Sequence, residues 1–170
     1  MNSFAKWSLA VLVLVLSVPG LARAAAPDVG QAPSCRQCGM DRDKYAHSRV
    51  LVEFDDGTSI GSCSIRCAAV ELANAIDKSP KAIRVGDYAT KELIDAEKAA
   101  WVLGGKAKGV MTARGKWAFA SKEAAEAFVK ENGGEIVTWD EALKAAYQEM
   151  ESDTKAIRER RKMKKMQGAK

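Results

Sequence analysis

The stretch 48-SRVLVEFDDGTSIGSCSIRCAAVELANAID-77 changes its periodicity part-way along, and that change decides the fold class. Val50, Val52 and Phe54 alternate with Leu51 and Glu53, the pattern of a strand with one buried face. Asp55-Asp56-Gly57 reads as a turn and "TSIG" as the returning strand, so the first half predicts a β-hairpin. From Ser62 onward the spacing becomes helical. Ile65, Ala69, Leu72 and Ile76 recur along one stripe, and Ser62 or Ser64 is placed to cap the start. A hairpin that runs straight into a helix predicts an α+β protein.

Working outward toward the C-terminus, "AIRVGDY" (82–88) predicts a strand. "TKELIDAEKAAWVLGG" (90–105) fits neither period and is expected to mix strand with a short helix. "GKWAFA" (115–120) predicts a short strand. The helix "SKEAAEAFVKENGG" (121–134) follows, with Ser121 as N-cap and Asn132-Gly133-Gly134 as its stop. After the strand "EIVTW" (135–139), Thr138 and Glu141 form a T-x-x-E capping box opening a last helix, whose buried face is expected to carry Leu143, Tyr147 and Met150. The sum is one small domain over 34–150, made of β-hairpins and short strands packed with two to three helices. "AAPDVGQAP" (25–33) has linker composition and is expected to be extended. Residues 151–170 form a basic tail that continues the last helix or frays into solvated coil.

Lys6, the apolar run "WSLAVLVLVLSVP" (7–19) and Ala22-Arg23-Ala24 have the pattern of a secretory signal peptide over residues 1–24. This predicts cleavage near Ala24, a periplasmic location, and no transmembrane anchor after processing. The processed chain is long enough to bury a core, so its cysteines are not needed as folding staples. The formal charge is +5, yet residues 155–170 hold eight Lys or Arg against one acid. The body is therefore net acidic, which argues against a nucleic-acid-binding face and predicts no nucleic-acid partner. Besides solvation, the tail can serve as a peripheral contact for anionic lipid heads or an acidic partner.

The chemistry lies in the four cysteines. Cys35 and Cys38 stand in "SCRQCGM" (34–40), a C-x-x-C followed by Gly39 and Met40. Cys63 and Cys67 are spaced i and i+4, so in a helix their sulfurs share a face, and the helix N-terminus is expected to favour the Cys63 thiolate. Four readings apply: disulfides, a redox pair, a closed four-cysteine zinc site, or a soft-metal site. "GMDRDKYAHS" after Cys38 lacks a helical apolar stripe, which disfavours a thioredoxin-like active site. Zinc has no use for thioethers, whereas Cu(I) is selected by thiolate and thioether together. Met40 beside Cys38, and Met111 in the loop composition of "GGKAKGVMTARG" (104–115), thus tilt the reading toward Cu(I). His47, the chain's one histidine, is expected near the surface and is kept as a further candidate ligand. Zinc stays open as the alternative metal, and a thiol or redox protein as the alternative function.

"CRQCGM", the hairpin with "DDG", "AIRVGDY", "LIDAEKAAWVLGG", "GVM", "KWAFASKEAAEAF" and "NGGEIVTWDEAL", in that order, resemble the NosL family, copper-binding accessory proteins of nitrous oxide reductase. The resemblance runs from Cys35 to Met150. It implies a periplasmic Cu(I) carrier, not an enzyme, with a two-part α+β fold similar to organomercurial lyase. The implied partner is a periplasmic cuproenzyme such as nitrous oxide reductase, or another copper-transfer protein. The family's C-x-x-C-G-M motif falls on Cys35, Cys38, Gly39 and Met40, and its G-x-M on Gly109 and Met111.

Overall fold

A computed structural model describes residues 26–168; the expected signal peptide lies outside the described residues. The order is α1 (Pro27–Gln31), β1 (Val50–Phe54), β2 (Ser59–Ser62), α2 (Ile65–Asn74), β3 (Pro80–Gly86), β4 (Leu93–Asp95), β5 (Ala100–Leu103), β6 (Lys116–Phe119), α3 (Lys122–Asn132), β7 (Glu135–Val137), α4 (Trp139–Gln148) and α5 (Met150–Gly168). The strands form two antiparallel sheets, β2-β1-β3-β4 and β6-β5-β7. A parallel bridge between Asp87 and Ala118 joins them. Buried Asp87 secures the joint by accepting hydrogen bonds from the Thr90 and Ala120 amides.

The expected hairpin is present, with Val52 opposite Ile60, and Val50, Val52 and Phe54 all buried. Each such side chain contributes about 1.5–3 kcal/mol by leaving water. These residues form a first core with α2, α4 and the inward faces of Trp101 and Ala118. A second core gathers Val102, Trp117, Phe119, Ala125 and Phe128.

The pairing of Trp101 with one core and Val102 with the other explains the ambiguous 90–105 segment. Strand β5 is buried on both faces, so its apolar residues run without alternation. No helix forms there; the chain turns between β4 and β5 instead. The capping box at Thr138 and Glu141 forms, and Ser121 caps α3 by accepting from the Ala124 amide.

Three expectations are corrected. Ile76 lies past the end of α2 and is 90% exposed. Leu143 and Met150 pack against the first core as expected, but Tyr147 is exposed and the fully buried residues of α4 are Trp139, Ala142, Ala145 and Ala146; small alanines suit a close approach of the helix to α2 and the sheet. The segment expected to be extended contains the helical turn α1, with Val29 buried. Its Asp28 carboxylate lies 2.8 Å from Arg42 and 2.9 Å from Arg49, both guanidiniums buried. Of the two readings of the basic tail, helix or coil, residues 150–168 form the helix α5, nineteen residues long and packed at its start, with Asp153 buried and accepting from the Ala113 amide at 2.8 Å.

Candidate metal centre

The C-x-x-C segment folds into a tight hairpin closed by its own backbone. The Cys35 amide donates to the Met40 carbonyl and the Gly39 amide to the Cys35 carbonyl, both at 2.8 Å, and Ser34 bridges Asp41. Gly39 takes φ of 74°, which favours glycine because it has no Cβ to clash. The hairpin lies over the end of β2 and the start of α2. The Arg36 amide donates to the Gly61 carbonyl, and Gln37 donates to the Glu71 carboxylate on α2 at 2.9 Å.

Arg42 fixes the same two pieces from beneath. Its guanidinium donates to the carbonyls of Ala32 and Ser62 and to the Asp28 carboxylate. A Cβ at Gly61 would come within 2.6 Å of that guanidinium, so the β2 backbone closes onto it only because residue 61 is glycine. Both cysteine pairs are thereby set against each other, one on the hairpin and one across the β2–α2 junction.

The result is a cluster of four sulfurs, Cys35, Cys38, Cys63 and Cys67, all within 4.8 Å of one another. Cys38 Sγ is 3.5 Å from Cys63 Sγ, and Cys63 Sγ is 3.8 Å from Cys67 Sγ. All four are free thiols in the structure, and Cys38 alone is partly exposed. Tetrahedral thiolates with metal–sulfur bonds of about 2.3 Å stand about 3.8 Å apart, so this cluster has the dimensions of a metal-holding set.

Its electrostatics are shared. The Cys35 thiol is driven far below the ordinary thiol range by hydrogen bonds from Cys38, Cys63 and Cys67. Contact with Cys35 raises the Cys38 thiol, but contacts with Cys63 and Cys67 outweigh it and bring it down to about 7. Cys63 and Cys67 are pushed up, first by their contacts with Cys35. The expected preference for a Cys63 thiolate at the helix N-terminus is therefore overturned. Helix α2 begins at Ile65 with Ser64 as its N-cap, leaving Cys63 outside the first turn and wholly buried.

Met40 and Met111 are half-buried and pack against the core that contains the cysteines. Both also line an open cleft of about 360 Å³, together with His47. Met111 holds φ of 59°, a left-handed conformation that costs a residue with a Cβ about 1 kcal/mol. Its loop is tied down around it: Lys116 donates to Thr112 Oγ1 and the Arg114 carbonyl, and Asp153 takes the Ala113 amide. Gly109 is needed there, since a Cβ would fall 2.6 Å from the Thr112 carbonyl oxygen.

His47 is half-buried rather than on the surface, with ring centroids 5.7 Å from Trp117 and 5.8 Å from Tyr88. Burial, and then the charge of Lys91, lower its pKa and favour the neutral imidazole. Sequence reasoning missed Arg42 and the α5 residues Ile157, Arg160 and Arg161 that wall the cleft. No local pattern marks them, because each acts only through residues distant in the chain.

The NosL family model matches residues 26–147. This chain belongs to the NosL family. The NosL fold is also seen in the crystal structure of the copper chaperone NosL from Shewanella denitrificans. That chain is 22% identical and superposes with a TM-score of 0.54 over 73% of this chain and 96% of its own. A search of curated proteins gave no match. The NosL match covers both cysteine pairs, Met40 and Met111, and ends before α5. Among the described residues, no helix is long and apolar enough to cross a membrane.

Proposed function

We propose that this NosL-family chain is an extracytoplasmic Cu(I) carrier, with Cys35, Cys38, Cys63 and Cys67 as thiolate ligands and Met40 and Met111 as thioether ligands. The observation that carries the reading is one compact four-thiol cluster whose core is also packed by two methionines. Soft sulfur donors of both kinds suit Cu(I), and an ion that tolerates low coordination can leave a crowded set stepwise. Cys38 and Met40 form the exchange side, since the other three thiols are buried. His47 stands at the same cleft as a neutral donor for an ion in transit.

The copper chaperone named for the solved relative supports copper as cargo. The signal-peptide pattern of residues 1–24 supports export, and the family resemblance supports a periplasmic cuproenzyme such as nitrous oxide reductase as recipient. In this role the protein binds and releases an ion without transforming it. The first test is anaerobic Cu(I) titration against a competing chelator, with metal analysis of protein purified under reducing conditions; mass spectrometry of the secreted form reads the cleavage site. Tight Cu(I) binding that weakens when Met40 and Met111 become leucine supports the carrier.

One observation favours a second reading. The sulfur spacing suits a closed tetrahedral zinc site, in which the cluster would be structural. Zinc retained through purification, with Cu(I) affinity indifferent to the methionines, would establish that alternative.

A further inference from the structure

The cleft over Met40, His47 and Met111 has a charge that the copper ligands do not explain. Its walls include Lys108 on the Met111 loop and Arg160 and Arg161 on α5, and no carboxylate. The arginines belong to a helix that carries seven Lys or Arg and one acid, Glu159, between Thr154 and Gly168. Their position is not accidental to a loose tail. Asp153 is hydrogen-bonded to the Met111 loop, Arg66 of α2 donates to Thr154, and Ile157 faces the cleft one turn later. Helix α5 is thus docked with its cations at the opening above the thioethers. The NosL match ends at residue 147, so this wall lies outside the family pattern.

Three cations around the port of a cation carrier would repel bare Cu⁺. They attract the ion only when it arrives or leaves within a negatively charged complex. We infer that the cleft is an exchange port for anionic Cu(I) ligands, that is, thiolate-bearing acids that bring or take the copper as a net negative complex. This inference rests on the carrier reading. The cations draw the anionic ligand in; one of its soft donors displaces Met40 or Met111, and the ion passes between it and Cys38. The copper remains Cu(I), the thiol that gains it loses a proton, the thiolate that gives it up takes one, and no electron moves.

The test is stopped-flow extraction of Cu(I) from the loaded protein by two chelators with the same phenanthroline donors: anionic bathocuproine disulfonate and uncharged neocuproine. The expected result is that the double substitution R160E/R161E slows extraction by the anionic chelator about tenfold and removes its salt dependence, with neocuproine rates unaffected. Lys108→Glu, on the Met111 loop of the same cleft, should shift the rate in the same direction, which guards against a fault confined to α5. Equal slowing with both chelators, or rates independent of chelator charge and salt in the unaltered protein, overturns the inference, as does an equilibrium affinity that falls in step with the rate. Absence of Cu(I) binding altogether is a different result, which defeats the carrier reading itself.

Discussion

The two flanks of the domain make an instructive pair. Helix α1 is one short turn drawn from linker-like sequence, and α5 is a nineteen-residue helix drawn from a basic tail. In each, a buried aspartate is a main anchor toward the candidate centre. Asp28 binds two buried guanidiniums beneath the cysteine hairpin. Asp153 accepts one amide hydrogen bond behind the Met111 loop, and its second oxygen has no partner. The first contact is a buried charge network and the second a single charge-assisted hydrogen bond. The thiol side of the centre should therefore be held more rigidly than the thioether side.

The largest expected effect comes from breaking the stronger anchor. Asp28→Asn leaves Arg42 and Arg49 buried without a counter-charge and should cost about 3–5 kcal/mol of unfolding free energy in denaturant titrations. Burial alone would raise the Asp28 pKa, but Arg49 and Arg42 outweigh it and hold the carboxyl below its usual range. Its folded pKa is thus depressed, so its stabilisation is present above the unfolded carboxyl pKa and is lost as pH falls through the folded value. A variant as stable as the parent at neutral pH would mean that α1 is a passive appendage.

Next in size, Cys63→Ser removes a buried candidate ligand and should weaken Cu(I) binding about a hundredfold or more, with circular dichroism unchanged. Loss of the folded spectrum would instead point to a structural role for the cluster. On the weaker flank, Asp153→Ala strands the Ala113 amide and should cost about 1–2 kcal/mol in thermal melts. That is a smaller loss than at Asp28, and a larger one would reverse the ranking of the two anchors.

Met40→Leu and Met111→Leu nearly conserve volume and should each lower Cu(I) affinity about tenfold while leaving Zn²⁺ affinity little changed. Equal losses for both metals would assign the methionines to packing. The smallest effect expected is of pH. With the Cys38 thiol at about 7, protons compete for it below that value and add at most about tenfold per unit to the fall of Cu(I) affinity on acidification, while Cys63 and Cys67, whose thiols are pushed up and must also lose protons to bind, keep the profile sloping above neutrality. A flat profile between pH 6 and 8, measured by chelator competition at each pH, would remove Cys38 from the exchange.

Much of this was legible in the sequence. The hairpin at 50–62, the caps at Ser121 and Thr138, and the strands read from "KWAF" and "EIV" follow from local rules, because short-range hydrogen bonds and side-chain alternation fix them. The centre was half legible: cysteine spacing marked the candidates, but not that the pairs 35/38 and 63/67 share one cluster. That depended on Arg42 tying the hairpin base to the Ser62 carbonyl, a contact across twenty residues. Strand β5 was illegible because residues buried on both faces erase the alternation that identifies strands. On the α4 face Tyr147 departs from expectation, while Leu143 and Met150 pack on the core, because size as well as hydrophobicity decides which residues lie where a helix packs closely.

The sequence by itself determined the mixed α+β class, most elements and the inventory of soft donors, since periodicity, capping and residue chemistry act over a few residues at a time. Only the tertiary structure decided which thiols meet, that Cys63 is buried with its thiol pushed up rather than activated, and that a tail rich in charge is docked beside the centre. Those outcomes depend on desolvation and on partners distant in the chain. Composition carries no record of either, because the cost of burying Asp28, Arg42 or Asp153 is set by which groups face them once the chain has closed.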